Sequence, residues 1–563
     1  MKLYLALFLS ILYTSLQAQT EIPKDYFSNP IDIPLVLSGT FGELRSNHFH
    51  SGLDIKTNHH QGLEVHAAAS GYISRINIQH FGYGKALYIQ HPNGYTTVYG
   101  HLQRLAPKLE AYLKKRQYEK ESYEIELFPE PGELKIEKGQ LIAYSGNTGG
   151  SGGPHLHFEI RDANQRPMNP EMFGIKIQDN RPPLINSIFA YPLGEDAQVN
   201  NSARKQQLRL IPLKDGSYTT EKVEACGTIG FGISTVDQKD LAPNKNGVFK
   251  IEAHLNGDPV FELNFQRFSF AESRRINQLI DYKYYSNHHS RVQKLFKEAN
   301  NPLSLYGKVV SEGKLEIKDS LNYNYVIKVR DFAGNERVVR IPIQGHYSTN
   351  IEPAEDDTTD YFAQASQAFS AEDNGIDVYI PKNSLYEDTY LDIKFAGDTI
   401  HLDKDEIALQ SSMTIGFDVS DYKPEEREKM FIARLGYNNK PIYSTTYKKG
   451  NRFTTRTRSF GDYTLARDDT PPSVRPVNFY DGQWISANET LQVKITDDLS
   501  GINSYRATVN GKFILMEYEY KDDTLTYKFE DGVVTDTENH LKVIVTDNVG
   551  NKTVYEATFF RKQ

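Results

Sequence analysis

The sequence predicts a mainly β protein, and three observations lead there. Aromatic residues make up 12% of the chain, with 36 Tyr and 29 Phe, and such side chains favour strands. Short runs that alternate apolar and polar residues recur along most of the length, punctuated by Gly, Pro, Asn and Asp. Two segments with the same opening and closing strings also repeat one another. The expected architecture is a compact antiparallel β-sheet domain at the N-terminus, followed by three β-sandwich (immunoglobulin-like) modules.

Length and charge bound the rest. At 563 residues the chain is too long for one hydrophobic core. A net charge of -9 and a pI near 6.0 argue against a nucleic-acid or anionic-membrane partner. Residues 1–18 read as a signal peptide: Lys2 supplies a positive start, Leu3 to Tyr13 an apolar run, and Ala18 a cleavage site. That run is shorter than the roughly 20 residues a spanning helix needs, and no later segment approaches that length, so no transmembrane segment is expected in the mature chain. Cys226 is the only cysteine, which excludes an intrachain disulfide and a Cys-based zinc site. An exported chain without disulfides fits a bacterial envelope.

Residues 25–178 form the first expected domain. Strands are predicted at Gly62–Ala67, Gly71–Ile76, Ala86–His91, Tyr95–Tyr99 and Gln140–Ser145. Within a longer insertion, 104–138, Leu109, Tyr112, Leu113 and Arg116 recur at helical spacing, and Pro107 suits a first helical turn. This insertion is expected to lie across the neighbouring cleft as a lid, to dock on another protein, or to decorate the surface, with its charged face solvated. Residues 179–346 form the next module. It opens on Asp179-Asn-Arg-Pro-Pro and carries Asp331-Phe-Ala-Gly-Asn335 near its end, with an irregular, partly helical stretch at about 265–300. An acidic linker follows at 347–361, then a second sandwich at 362–467. The third, 468–563, repeats the first through Asp468-Asp-Thr-Pro-Pro and Asp547-Asn-Val-Gly-Asn551. Each Asp-x-x-Gly-Asn follows an alternating strand and reads as a hairpin turn, which accounts for its Gly and Asn without a bound calcium ion.

The chemistry is concentrated at the start. Ten of the 16 histidines stand before residue 160. His155 and His157 are two apart in a strand-like run, so both imidazoles share one face, with Leu156 and Phe158 on the other. His50 and Asp54 flank Gly52, which lets the backbone turn tightly between them. His101 follows an alternating strand. Two histidines and a carboxylate are a common catalytic zinc set, because three protein ligands leave a fourth position open. The helical His-Glu-x-x-His motif is absent, so a histidine is expected to do acid–base work.

These strings resemble the lysostaphin-type (LytM-like) zinc endopeptidases that cleave peptide bonds in bacterial peptidoglycan. The resemblance rests on His50-Ser-Gly-Leu-Asp54, Tyr99-Gly-His-Leu102, Lys138-Gly-Gln-Leu-Ile142, Gly146-Asn-Thr-Gly-Gly-Ser-Gly-Gly-Pro154, His155-Leu-His-Phe-Glu159 and Arg166-Pro-Met-Asn-Pro170. It covers about residues 30–175 and extends nothing to the modules downstream. It implies one Zn2+ per chain held by His50, Asp54 and His157, with His101 and His155 as catalytic histidines. Which of those two is the base stays open. His48, His59, His60, His66, His80 and His91 correspond to no position of the motif.

The function expected from this resemblance is a zinc metalloendopeptidase, a peptidoglycan hydrolase exported to the periplasm or cell envelope of a bacterium, or beyond it. Its substrate would be peptidoglycan peptides, and an envelope protein partner would dock through the helical insertion or the β modules. The alternative is a latent or non-catalytic activator of other wall hydrolases, or a surface-binding protein. An adaptor need not keep all five polar positions, and this chain has all five.

Overall fold

The computed structural model describes residues 22–562, and the expected signal peptide lies outside them. The chain is mainly β. Its first domain is built on an antiparallel nine-stranded sheet whose main path runs Leu37–Gly39, Leu53–Lys56, His155–Arg161, Thr96–Gly100, Lys85–Gln90, Gly71–Ile78, Ile125–Leu127. A separate three-stranded sheet joins Glu64–His66, Leu141–Tyr144 and Arg104–Leu105. The strand His155–Arg161 is central, with partners on both sides. Its period-two alternation sends Leu156, Phe158 and Ile160 into the core, all fully buried, and turns His155, His157, Glu159 and Arg161 to the other face.

This first domain does not close its core alone. One continuous apolar cluster runs from Phe27 through Leu53, Leu87 and Phe158 into Phe231, Phe265, Phe268 and Ile341 of the next module. Phe268 stacks 5.2 Å from Phe41 and 5.4 Å from Phe49, and Phe49 N–H donates to Ser273 Oγ at 2.9 Å. The irregular stretch expected at 265–300 therefore forms part of the packing beneath the first domain. It carries short helices at Ile276–Leu279 and Tyr282–His288. A cavity of about 1150 Å³ also opens between the two units, lined by Tyr26, Tyr95, Arg267 and Tyr306; none of the five predicted site residues lines it.

The two repeats end in similar hairpins, Asn322–Arg330 with Glu336–Gly345 and Glu538–Asp547 with Lys552–Phe560. Asp331 accepts from the N–H groups of Gly334 and Asn335 at 2.7 and 2.9 Å, and Asp547 from those of Val549 and Asn551 at 3.0 and 2.8 Å. These are carboxylates used to close turns. In each repeat two further aspartates gather beside the turn, and the repeats balance them differently. Lys239 Nζ lies 3.0 Å from Asp179 and 3.1 Å from Asp237, whereas Asp468 and Asp497 accept backbone N–H groups of Thr470, Ser500 and Gly501. The sandwiches also differ in closure. In the first repeat the strand Val223–Val236 pairs with both Leu184–Pro192 and Glu336–Gly345, so its layers join in one sheet. The middle module has two five-stranded sheets, and the last has one of four and one of five. Among the described residues no helix is long and apolar enough to cross a membrane.

The predicted helix spans Pro107–Lys120 and buries Leu109, Leu113 and Gln117. It ends at Glu121, whose left-handed φ of 48° closes it with bonds back to Gln117 and Tyr118. The expectation of a solvated charged face is corrected in part, because Lys114 and Glu121 bind the last module while Lys115 stays exposed. Lys114 Nζ lies 2.5 Å from Asp531, Tyr118 Oη donates to Asp531 at 2.7 Å, and Arg506 pairs with Glu121. Beside the helix, Lys85 Nζ meets Glu517 at 2.6 Å and Tyr518 stands edge-on to His80 at 5.5 Å. Residues some 400 positions apart in sequence thus meet, a contact that no local pattern announces.

Candidate metal centre

Strand register brings the candidate residues together. His157 lies directly opposite Asp54 on one neighbouring strand and opposite Gly100 on the other, one residue before His101. His50 reaches the same point from the turn before Leu53–Lys56. A side chain at Gly52 would drive its Cβ to 2.3 Å from the Phe158 carbonyl, so glycine is required for that close approach.

Three atoms define the centre. His50 Nε2 lies 3.0 Å from Asp54 Oδ1 and 3.2 Å from His157 Nδ1, and Asp54 Oδ1 lies 2.8 Å from His157 Nδ1. Bonds of about 2.0 Å to a tetrahedral zinc ion place ligand atoms roughly 3.3 Å apart, so this donor set fits zinc in number, chemistry and spacing. His155 Nε2 stands 3.4 Å from Asp54 Oδ1, and the His101 ring lies 4.7 Å from that of His155. All five residues that the sequence singled out therefore share one place. His48, His59, His60, His66, His80 and His91 do not take part in these contacts; His91, for example, is spent on the Ser70 carbonyl and Thr97.

Each imidazole is held from behind. His50 Nδ1 donates to the Thr40 carbonyl at 2.8 Å, His101 Nδ1 to that of Thr148 at 2.8 Å, and His155 Nδ1 to that of Gly153 at 2.8 Å. A carbonyl only accepts, so these three rings carry the proton on Nδ1 and present Nε2 to the centre. His157 is reversed: its Nε2 donates to Glu159 Oε1 at 2.8 Å and its Nδ1 faces inward. Glu159 is fully buried and also accepts from Arg161, Tyr83 and Ser51 at 2.6, 2.5 and 2.7 Å. Such outer partners orient metal ligands and tune their basicity.

The electrostatics follow from burial and these contacts. Burial alone would raise the Asp54 carboxyl, but His50 and the imidazoles of His155 and His157 close beside it hold it well below the carboxylate range. Burial opposes the charged form of His157, yet bonds to Asp54 and Glu159 prevail and raise it to about 9. Burial, then the neighbouring His157 and His155, lower His101 to about 3, leaving it neutral at ordinary pH. Burial would likewise raise Glu159, but Arg161 and His157 hold it strongly ionised.

Sequence reasoning missed Glu159, Arg161, Tyr83, Thr40 and Arg45, whose Nη2 reaches Asp54 Oδ2 at 3.1 Å. For Glu159 and Arg161 a signal existed: the alternation that pairs His155 with His157 continues two and four residues on. The others, Tyr83, Thr40 and Arg45, lie outside that strand and left no mark in its pattern.

Comparisons with known proteins concern this same segment. Residues 48–118 and 131–170 match peptidase family M23, and residues 360–468 match a Zu5-like domain. The DD-carboxypeptidase/endopeptidase Mpg of Neisseria meningitidis serogroup B is 33% identical over 121 residues, which is 22% of this chain and 22% of that protein. An uncharacterized metalloprotease of Haemophilus influenzae is 34% identical over 121 residues, 22% and 20% of the two chains. The peptidoglycan DD-endopeptidase ShyC of Vibrio cholerae is 32% identical over 99 residues, 18% and 17%. The chain thus spans about a fifth of the length of these curated relatives. Among solved structures, the catalytic domain of lysostaphin from Staphylococcus simulans aligns with 25% of this chain and 93% of its own, at 21% identity and a TM-score of 0.19. A zinc containing peptidase from Vibrio cholerae covers 27% and 41%, at 24% identity and a TM-score of 0.20. The segment that supplies the four histidines and Asp54 belongs to peptidase family M23, the lysostaphin and LytM type of domain.

Proposed function

We propose that this chain is an exported zinc endopeptidase that hydrolyses peptide bonds in peptidoglycan stem peptides or their cross-links. The observation that carries the reading is the triangle of His50 Nε2, Asp54 Oδ1 and His157 Nδ1, whose sides of 2.8 to 3.2 Å suit one zinc ion, with two further histidines beside it. The similarity to a DD-carboxypeptidase/endopeptidase and to a peptidoglycan DD-endopeptidase supports the substrate class.

His50, Asp54 and His157 would hold the ion, and Glu159, Thr40 and Arg45 keep those ligands in place. Zinc held there would supply Lewis acidity and lower the pKa of a bound water. His101 and His155 present Nε2 toward the same centre, each with its Nδ1 proton committed to a backbone carbonyl. One accepts the proton released in the attack and returns it to the leaving amine, and the other stabilises the developing oxyanion. The run Gly146–Pro154 supplies two of the anchoring carbonyls. Its Gly152 and Gly153 have open space where a side chain would stand, which lets a peptide lie against the backbone.

Mass spectrometry of muropeptides after digestion tests the reading, with His157→Ala as control and zinc measured in both proteins. New peptide termini from the unmutated chain alone support it. Intact muropeptides from a zinc-loaded, folded chain overturn it.

A further inference from the structure

The last module touches the catalytic half of the molecule at one place more telling than its broad seat on the helix. Tyr520 Oη donates to the Gly149 carbonyl at 3.1 Å, and Lys521 Nζ donates to the Asn147 carbonyl. Between those two carbonyls lies that of Thr148, which accepts from His101 Nδ1 at 2.8 Å. The Tyr520 ring also packs on Phe81, centroids 4.7 Å apart. Phe81 precedes the turn that carries Gly82, whose carbonyl accepts from Gly150 N–H at 2.8 Å. We propose that Tyr520 and Lys521 are positioning residues for His101, acting through the glycine-rich loop; this deepens the peptidase reading and rests on it.

The physical argument is one of loop entropy. The loop holds Gly146, Gly149, Gly150, Gly152 and Gly153, and fixing a backbone costs conformational entropy at every residue, most for glycine. A carbonyl that must hold a catalytic imidazole cannot hang from a wandering loop, since a misplacement of about 1 Å is enough to lower turnover roughly a hundredfold. From within the first domain, Thr148 is held by its side chain, which donates to the Leu102 carbonyl at 2.9 Å and accepts from Lys85 N–H at 3.0 Å. The last module adds a donor on the peptide groups to either side, so three successive carbonyls are each engaged. Its seat does not depend on this contact, because Glu517, Asp531 and Arg506 bind Lys85, Lys114, Tyr118 and Glu121 independently. Changing Tyr520 and Lys521 therefore frees the loop while leaving the module docked.

The test uses the full chain bearing Tyr520→Phe with Lys521→Met. These substitutions keep the ring on Phe81 and the aliphatic stem but remove both donors. Expected are faster hydrogen exchange of amides 147–150, unchanged exchange across helix Pro107–Lys120, unchanged zinc content, and kcat on a soluble muropeptide about tenfold lower with KM within about twofold. Lys521→Arg, which keeps a donor, should restore most of the rate in the Tyr520 background. Unchanged exchange at 147–150 overturns the inference, as does faster exchange with full kcat, or a loss that lies wholly in KM. Absence of any cleavage by the unmutated chain would count against the peptidase reading instead, and the exchange measurement alone would then decide whether the module anchors the loop.

Discussion

Asp54 and His157 are direct partners across adjacent antiparallel strands, and their facing atoms, Oδ1 and Nδ1, stand 2.8 Å apart. Two proposed ligands set by strand register rather than by loops form a rigid edge of the centre. Asp54→Ala and His157→Ala should each remove zinc and activity together, while His101→Ala keeps the metal. Stoichiometric zinc in Asp54→Ala, by elemental analysis, would contradict the assignment.

On the proposed mechanism, His101 and His155 bear on turnover rather than on the metal. His101→Ala and His155→Ala should retain zinc and lose about a hundredfold or more in kcat, the scale of a lost acid–base or oxyanion group. Steady-state kinetics on a soluble muropeptide read this directly, and normal turnover in either variant removes that residue from the mechanism.

Glu159→Gln removes the charge behind His157 while preserving its shape. Zinc affinity should fall by roughly tenfold to a hundredfold, as expected for a ligand's outer partner. The buried Arg161 guanidinium also loses its carboxylate at 2.6 Å, so the variant should be less stable by about 3–5 kcal/mol. Competition with a chromogenic chelator and denaturant melts separate the two effects.

Zinc uptake should release protons. His157 is raised above the ordinary imidazole value to about 9 by Asp54 and Glu159, despite burial. A raised folded-state pKa contributes stability below the unfolded value that is lost as pH rises through about 9. Zinc needs the unprotonated nitrogen, so its apparent affinity should climb about tenfold per pH unit from 7 toward 9 and then level off. Calorimetry in buffers of different ionisation enthalpy should show about one proton released at pH 7, and a flat profile would contradict the assignment.

The first domain should not stand well alone. Phe41 and Phe49, the latter beside His50, are covered by Phe265 and Phe268 of the next module. Phe268→Ala should cost about 3–5 kcal/mol, and a chain cut near residue 178 should bind zinc poorly or aggregate. A monomeric, zinc-loaded fragment with sharp thermal unfolding would show this cover to be dispensable.

Much of the fold class and of the centre was legible in the sequence, because both rest on short-range periodicity. Alternation marked Gly71–Ile76 and Ala86–His91 close to the observed strands Gly71–Ile78 and Lys85–Gln90, and it placed His155 and His157 on one face. The strings around His50, Asp54 and His101 carried the rest through resemblance. What only the tertiary structure decided depends on pairs far apart in the chain. Strand register set Asp54 opposite His157. Carbonyls from Thr40, Thr148 and Gly153 chose which nitrogen each ring presents. The helix Pro107–Lys120 was visible as a helix, but Lys114 and the closing Glu121 are spent on Asp531 and Arg506, some 400 residues downstream. Periodicity reports which side of an element is apolar and says nothing of what covers it, since that depends on how whole modules pack. The meeting of Tyr520 with the loop that holds His101 belongs to this second kind of information.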